Sequence, residues 1–92
     1  METTREISVG QVVKSKAGRD RDRVFIVLQI LDDQYVLIAD GDLRKIDKPK
    51  KKKVKHLVKY NIISEEIKRR IEQNEKITNL HLRKELGKLG AY

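Results

Sequence analysis

The stretch VFIVLQI, Val24–Ile30, decides the fold. It is rich in β-branched residues and alternates as a strand does. Val24, Ile26, Leu28 and Ile30 share one face, and Phe25 and Val27 share the other. Both faces are apolar, so each needs a cover. Before it stands AGRDRDR (Ala17–Arg23), a charged loop opened by Gly18, and before that VVKS (Val12–Ser15), a short strand. After it, LDDQ (Leu31–Gln34) is a polar turn and YVLIAD (Tyr35–Asp40) a third strand. Asp40-Gly41 is a strong hairpin signal, which makes LRKI (Leu43–Ile46) the returning strand. Asp47–Lys53 contains the only proline, Pro49, and reads as a loop; VKHLV (Val54–Val58) is the last short strand. Short strands joined by tight turns predict a mainly β fold, a small and highly twisted five-stranded barrel.

Composition shifts after Asn61. Ser64 can cap a helix with Glu65 and Glu66 in its first turn, where the helix dipole favours acidic groups. Ile63, Ile67 and Ile71 recur at helical spacing. Lys76–Asn79 is a polar break. Thr78 then caps a second short helix carrying Leu80, Leu82 and Leu86 and ended by Gly87. These apolar stripes can cover the barrel's second face. The expected organisation is a flexible start over 1–6, a barrel over 7–60 and a helical extension over 61–92 packed on it.

The 92 residues allow one domain, and 39% of them are charged, with a net charge of +8. At this size such an excess points to a polyanionic partner. Cysteine is absent, which excludes disulfides and thiolate chemistry. The polar start METTREISVG shows no secretory signal, and no apolar run reaches a transmembrane length. The chain therefore reads as soluble, intracellular and cytoplasmic, with no membrane partner.

Candidate catalytic groups are sparse. His56 and His81 lack a second histidine or a close carboxylate at ligand spacing. Asp40–Asp42 (DGD) resembles part of a calcium loop, but Lys51 stands where that loop needs its glutamate. No phosphate-binding glycine loop or dinucleotide fingerprint is present. The expectation is a protein that is not an enzyme and uses no metal or cofactor.

What remains is positive charge on a frame. One group is Lys14, Lys16, Arg19, Arg21 and Arg23, interrupted by Asp20 and Asp22. The other is Arg44, Lys45, Lys48, Lys50, Lys51, Lys52, Lys53, Lys55 and Lys59, with His56 beside it and only Asp47 opposing it. A single lysine in such a list is most simply a solvated loop charge. This density fits phosphate neutralisation, to which arginine adds a planar fork. Phe25 reads as core, and Tyr35 either packs at a strand edge or stacks on a base. So few aromatic platforms favour the backbone and shape of folded RNA over a bare single strand.

GQVVKSKAGRDRDRVFIV (Gly10–Val27) resembles a KOW motif. VLIADGDLRKIDKPKKKKVKHL (Val36–Leu57) looks like the bacterial KOW-domain RNA-binding proteins, which are similar to large-subunit ribosomal proteins of the fourteen-e type. The resemblance covers about half the chain. It implies an SH3-like barrel, binding to RNA and to ribosomal RNA in particular, and RNA contact by the first loop, Lys16–Arg23. Asp22 departs from the motif by replacing its usual glycine; aspartate tolerates a left-handed backbone better than most residues.

The leading expectation is a non-catalytic RNA-binding protein of the ribosome or associated with it. The alternative is a KOW-type module docking on the transcription or translation machinery through Leu80, Leu82, Leu86 and Leu89. A third reading takes Ile63–Gly87 as a helix-turn-helix offering His81, Arg83 and Lys84 to DNA. Pro49–Lys55 (PKKKKVK) also resembles a nuclear localisation signal.

Overall fold

The computed structural model describes residues 2–90. Met1, Ala91 and Tyr92, which belong to the expected flexible start and helical extension, lie outside them. Five strands form one antiparallel sheet: β1 (Gln11–Ser15), β2 (Val24–Ile30), β3 (Tyr35–Ala39), β4 (Lys50–Lys53) and β5 (Leu57–Ile63). Their order is β4-β3-β2-β1-β5. Helices α1 (Glu65–Glu72) and α2 (Asn79–Lys88) follow.

The sheet is mainly as the apolar alternation predicts, with three differences. LRKI is not the returning strand. Asp40 accepts hydrogen bonds from the amides of Asp42 and Arg44, both 2.9 Å, and so caps a long irregular connection rather than a two-residue hairpin. The returning strand is instead β4, placed where a loop is expected; it pairs Lys50 with Ile38 and Lys53 with Tyr35. Val54–His56 is a 3-10 turn, and β5 begins at Leu57. The second difference is closure. The sheet is curled by irregular register between Val27 and Gln29 and between Gln11 and Val13, but edge strands β4 and β5 form no ladder. The expected barrel is thus an open sheet whose two edges are joined by one 3-10 turn. The third is the start. Thr4 is buried, its amide donates to Asp33 O and its hydroxyl to Asp32 O, so residues 4–6 are tied to the β2–β3 turn.

Two cores follow from the two faces of β2. Phe25 and Val27 pack with Ile7, Val13, Val36, Ile38, Val54 and Leu57 inside the curl. Ile26 packs with Val12, Ala39 and the helical residues Ile67, Leu82 and Leu86. Ser64 caps α1 by accepting from the Ile67 amide at 3.2 Å. Thr78 caps α2 reciprocally with His81, whose Nδ1 accepts from the Thr78 amide. Helix α2 runs through Gly87 and ends at Lys88, one residue later than expected.

The helices are seated by close backbone approaches. Gly10 has φ +86°, and a Cβ there would lie 2.8 Å from Ser64 O. Gly41 has φ +80° and meets the Asn79 backbone, where any Cβ would collide. Arg83 reaches back from α2 to Gly41 O at 2.6 Å, and Asn79 Oδ1 accepts from the Ile46 amide at 2.8 Å. These contacts fix the β3–β4 connection, 40–49, against the start of α2.

Candidate nucleic-acid interface

A strand made of four lysines must send them to two faces. Lys50 and Lys52 pair with Ile38 and Val36, both inner-core residues, so they turn inward. Lys51 and Lys53 pair with Leu37 and Tyr35 and turn outward. The inward pair crosses to the β1–β2 loop. Lys52 Nζ donates to Ala17 O at 2.9 Å and to Asp20 Oδ1 at 3.0 Å. The Ser15 hydroxyl lies 2.8 Å from the same Oδ1, and Lys50 Nζ stands 3.6 Å from Oδ2. Asp20 is 2% exposed and Lys52 is 7% exposed, so this is an interior ion pair. Burial alone pushes the Asp20 carboxyl up. The hydrogen bonds from Lys52 and Ser15, with the charges of Lys52 and Lys50, outweigh it and hold the group below the ordinary carboxylate value.

A second internal pair sets the far side of the loop. Arg23 lies 3.0 Å from the buried Asp40 carboxylate and 3.6 Å from Asp42. The Asp40 hydrogen bond raises the Arg23 pKa further, so the guanidinium stays charged. Asp22 has φ 70°, the left-handed conformation its place requires, and sits 3.9 Å from Lys14. Lys52 is thus held in the interior, and Arg23, its side chain still 42% exposed, is anchored to Asp40. The DGD carboxylate of Asp40 is likewise spent on turn amides and Arg23.

With the loop fixed, five of the expected cations come near one another. Arg19, Asp20, Leu43, Arg44 and Lys50 line a cavity of about 410 Å³. A neighbouring hollow of about 330 Å³ is lined by Leu43, Arg44, Lys45, Asp47 and Lys48. Leu43 and Arg44 line both, so the two hollows adjoin and together make a groove along the β3–β4 connection, bordered at Arg19 and Asp20 by the β1–β2 loop. Among the described residues, Arg19, Arg44, Lys45 and Lys48 enter no ion pair. Leu43 is 53% exposed in their midst. Sequence reasoning placed Leu43 in a strand; it stands instead in the irregular β3–β4 connection.

The other expected residues lie elsewhere. Lys16 and Arg21 are exposed on the β1–β2 loop. The Lys16 amide donates to His56 O at 2.9 Å, which brings half-buried His56 and exposed Lys55 to the root of that loop. Lys51 and Lys53 sit on the outer face, their ammonium groups 4.7 and 5.9 Å from the Tyr35 ring centroid. Lys59 donates to Glu6 O at 3.0 Å. Leu82 and Leu86 are fully buried, which removes them from the expected docking stripe; Leu80 stays exposed. Two of the three groups of the helix-turn-helix reading make hydrogen bonds within the chain, His81 in its cap and Arg83 to Gly41 O.

No protein-family model matches the chain. A curated relative does: over 71 residues the chain is 34% identical to the "Putative ribosome-binding protein YbzG" of Bacillus subtilis (strain 168), covering 77% of this chain and 96% of that protein. The chain belongs to the family of that protein. The match spans nearly the whole relative, so it concerns the fold as a unit rather than a shared short motif. Among the described residues, no three His, Asp or Glu side chains gather as a metal site, and no helix is long and apolar enough to cross a membrane.

Proposed function

We propose that the protein is a non-catalytic, cytoplasmic RNA-binding protein that associates with the ribosome and contacts ribosomal RNA through the groove around Leu43 and Arg44. The observation that carries this reading is that Arg19, Arg44, Lys45, Lys48 and Lys50 line two adjoining hollows, opposed only by Asp20 and Asp47 among the lining residues. Such a surface attracts a polyanion, and the relative's name as a ribosome-binding protein supports the ribosome as the partner that supplies it. The fold reading that goes with it is an SH3-like KOW fold built on an open, curled sheet. Its support is the curl of five short strands around Phe25, with the 3-10 turn Val54–His56 carrying the chain from one sheet edge to the other.

The test is co-sedimentation with ribosomes and direct binding to ribosomal RNA, comparing the wild type with an Arg19→Glu/Arg44→Glu/Lys48→Glu variant. These side chains carry no ion pair among the described residues, so the variant should fold normally and lose at least about tenfold in affinity. A folded variant that sediments with ribosomes as the wild type does would sink this groove as the interface. A protein that binds neither ribosomes nor RNA would sink the function.

A further inference from the structure

One side chain lining the groove carries an acceptor without a donor. Asp20 Oδ1 is filled by Lys52 and Ser15, but Oδ2 is buried and accepts no hydrogen bond. The Lys50 ammonium stands 3.6 Å from it, near enough to balance charge and beyond hydrogen-bond reach. Buried polar atoms left in this state are few in folded proteins, and each calls for an explanation. Oδ2 belongs to a side chain lining the 410 Å³ cavity, beside Arg19, Arg44, Lys50 and the apolar Leu43.

These groups together specify a ligand. A simple anion suits the cations but is repelled by the carboxylate. A basic side chain suits the carboxylate but is repelled by the cations. A nucleotide answers all three features: its phosphate meets the arginines and lysine, its base face meets Leu43, and a base amine can donate to the carboxylate. We propose that the groove is a base-reading subsite, in which one RNA nucleotide donates its exocyclic amine to Asp20 Oδ2 while Arg19, Arg44 and Lys50 hold flanking phosphates. The Lys50 side chain is partly exposed, and its swing to a phosphate uncovers Oδ2 for the amine. The inference rests on the RNA-binding reading and adds base preference to it. An ionised carboxylate only accepts, so it favours cytosine, whose N4 amine donates, over uracil, whose O4 only accepts.

Cytosine and uracil therefore test it on the unaltered protein. Labelled oligocytidylate and oligouridylate of equal length are titrated at one fixed salt concentration. The expected result is tighter binding of oligocytidylate by about tenfold, the scale of one hydrogen bond to a charged group. In Asp20→Asn, the donors Lys52 and Ser15 keep the amide oxygen inward and turn its NH2 to the groove. The preference should then vanish or invert towards uracil, with thermal melting reporting the fold. Equal wild-type affinity for the two oligomers overturns the inference; if binding stays salt-sensitive, the RNA-binding reading survives. A loss on 2′-deoxy substitution without any cytosine preference assigns Oδ2 to the ribose and also overturns it. Binding to neither oligomer nor ribosomes overturns both readings.

Discussion

Four consecutive lysines look interchangeable, yet neighbouring residues in β4 have opposite duties. Lys52 neutralises a buried carboxylate, whereas Lys51 rests over the exposed side of Tyr35. Lys52→Ala leaves Asp20 with its main partner gone and should cost about 3 kcal/mol. Lys51→Ala should cost less than about 1 kcal/mol. Denaturant unfolding of the two variants checks this, and equal losses would refute the interior role. Acid should act on the same pair. Asp20 titrates below the ordinary carboxylate value in the folded state, so its contribution is complete above about pH 4, the unfolded carboxylate range, and is lost as pH falls further. The wild type should therefore lose melting temperature below about pH 4, and the component due to Asp20 should be missing in Asp20→Asn. None of this was legible from KKKK itself. A strand without apolar residues has no hydrophobic period, and which lysine turns inward is decided by pairing with Val36 and Ile38. Asp22 was legible, because its place in the loop demands a left-handed backbone and aspartate accepts one.

Among the elements, β1, β2, β3 and both helices could be read directly, since β-branched alternation and capping residues act locally. The β3–β4 connection could not. Asp40-Gly41 carries the signature of a tight turn, but its carboxylate binds amides at positions 42 and 44 and its glycine serves the approach of α2. Glu85 was equally hidden. It lies buried and accepts a 2.6 Å hydrogen bond from the Ser64 hydroxyl, which also accepts from the Ile67 amide. Ser64→Ala thus removes a helix cap and takes the donor from Glu85 Oε1, leaving Lys88 3.9 Å from Oε2, for an expected loss of about 2 kcal/mol. Ser64→Thr, which keeps the hydroxyl, should recover much of it. Chemical denaturation of both variants is the measurement, and a loss no larger than a few tenths would show that Glu85 finds water instead.

For the whole molecule, charge is asymmetric in use rather than in amount. Of the cations expected to meet RNA, some stabilise the fold, some flank Tyr35, and a subset converges on the groove. If the groove's five cations, Arg19, Arg44, Lys45, Lys48 and Lys50, each neutralise one phosphate, log Kd should rise with log salt at a slope of roughly 3 to 5. Titration over a salt series measures it, and a slope near zero would leave electrostatics without a part in binding. The asymmetry was invisible in sequence because net charge adds all cations alike, whereas ion pairing over long sequence separations removes particular ones.

The Lys52–Asp20 bond has one more consequence, in time. It joins residues separated by 32 positions, so the basic loop is made early in synthesis but cannot be set until β4 has emerged. A chain growing on a ribosome carries residues 16–23 past an RNA surface well before their geometry exists. On the proposed RNA-binding reading, shape-specific grip is thereby withheld from the unfinished chain until its sheet is complete.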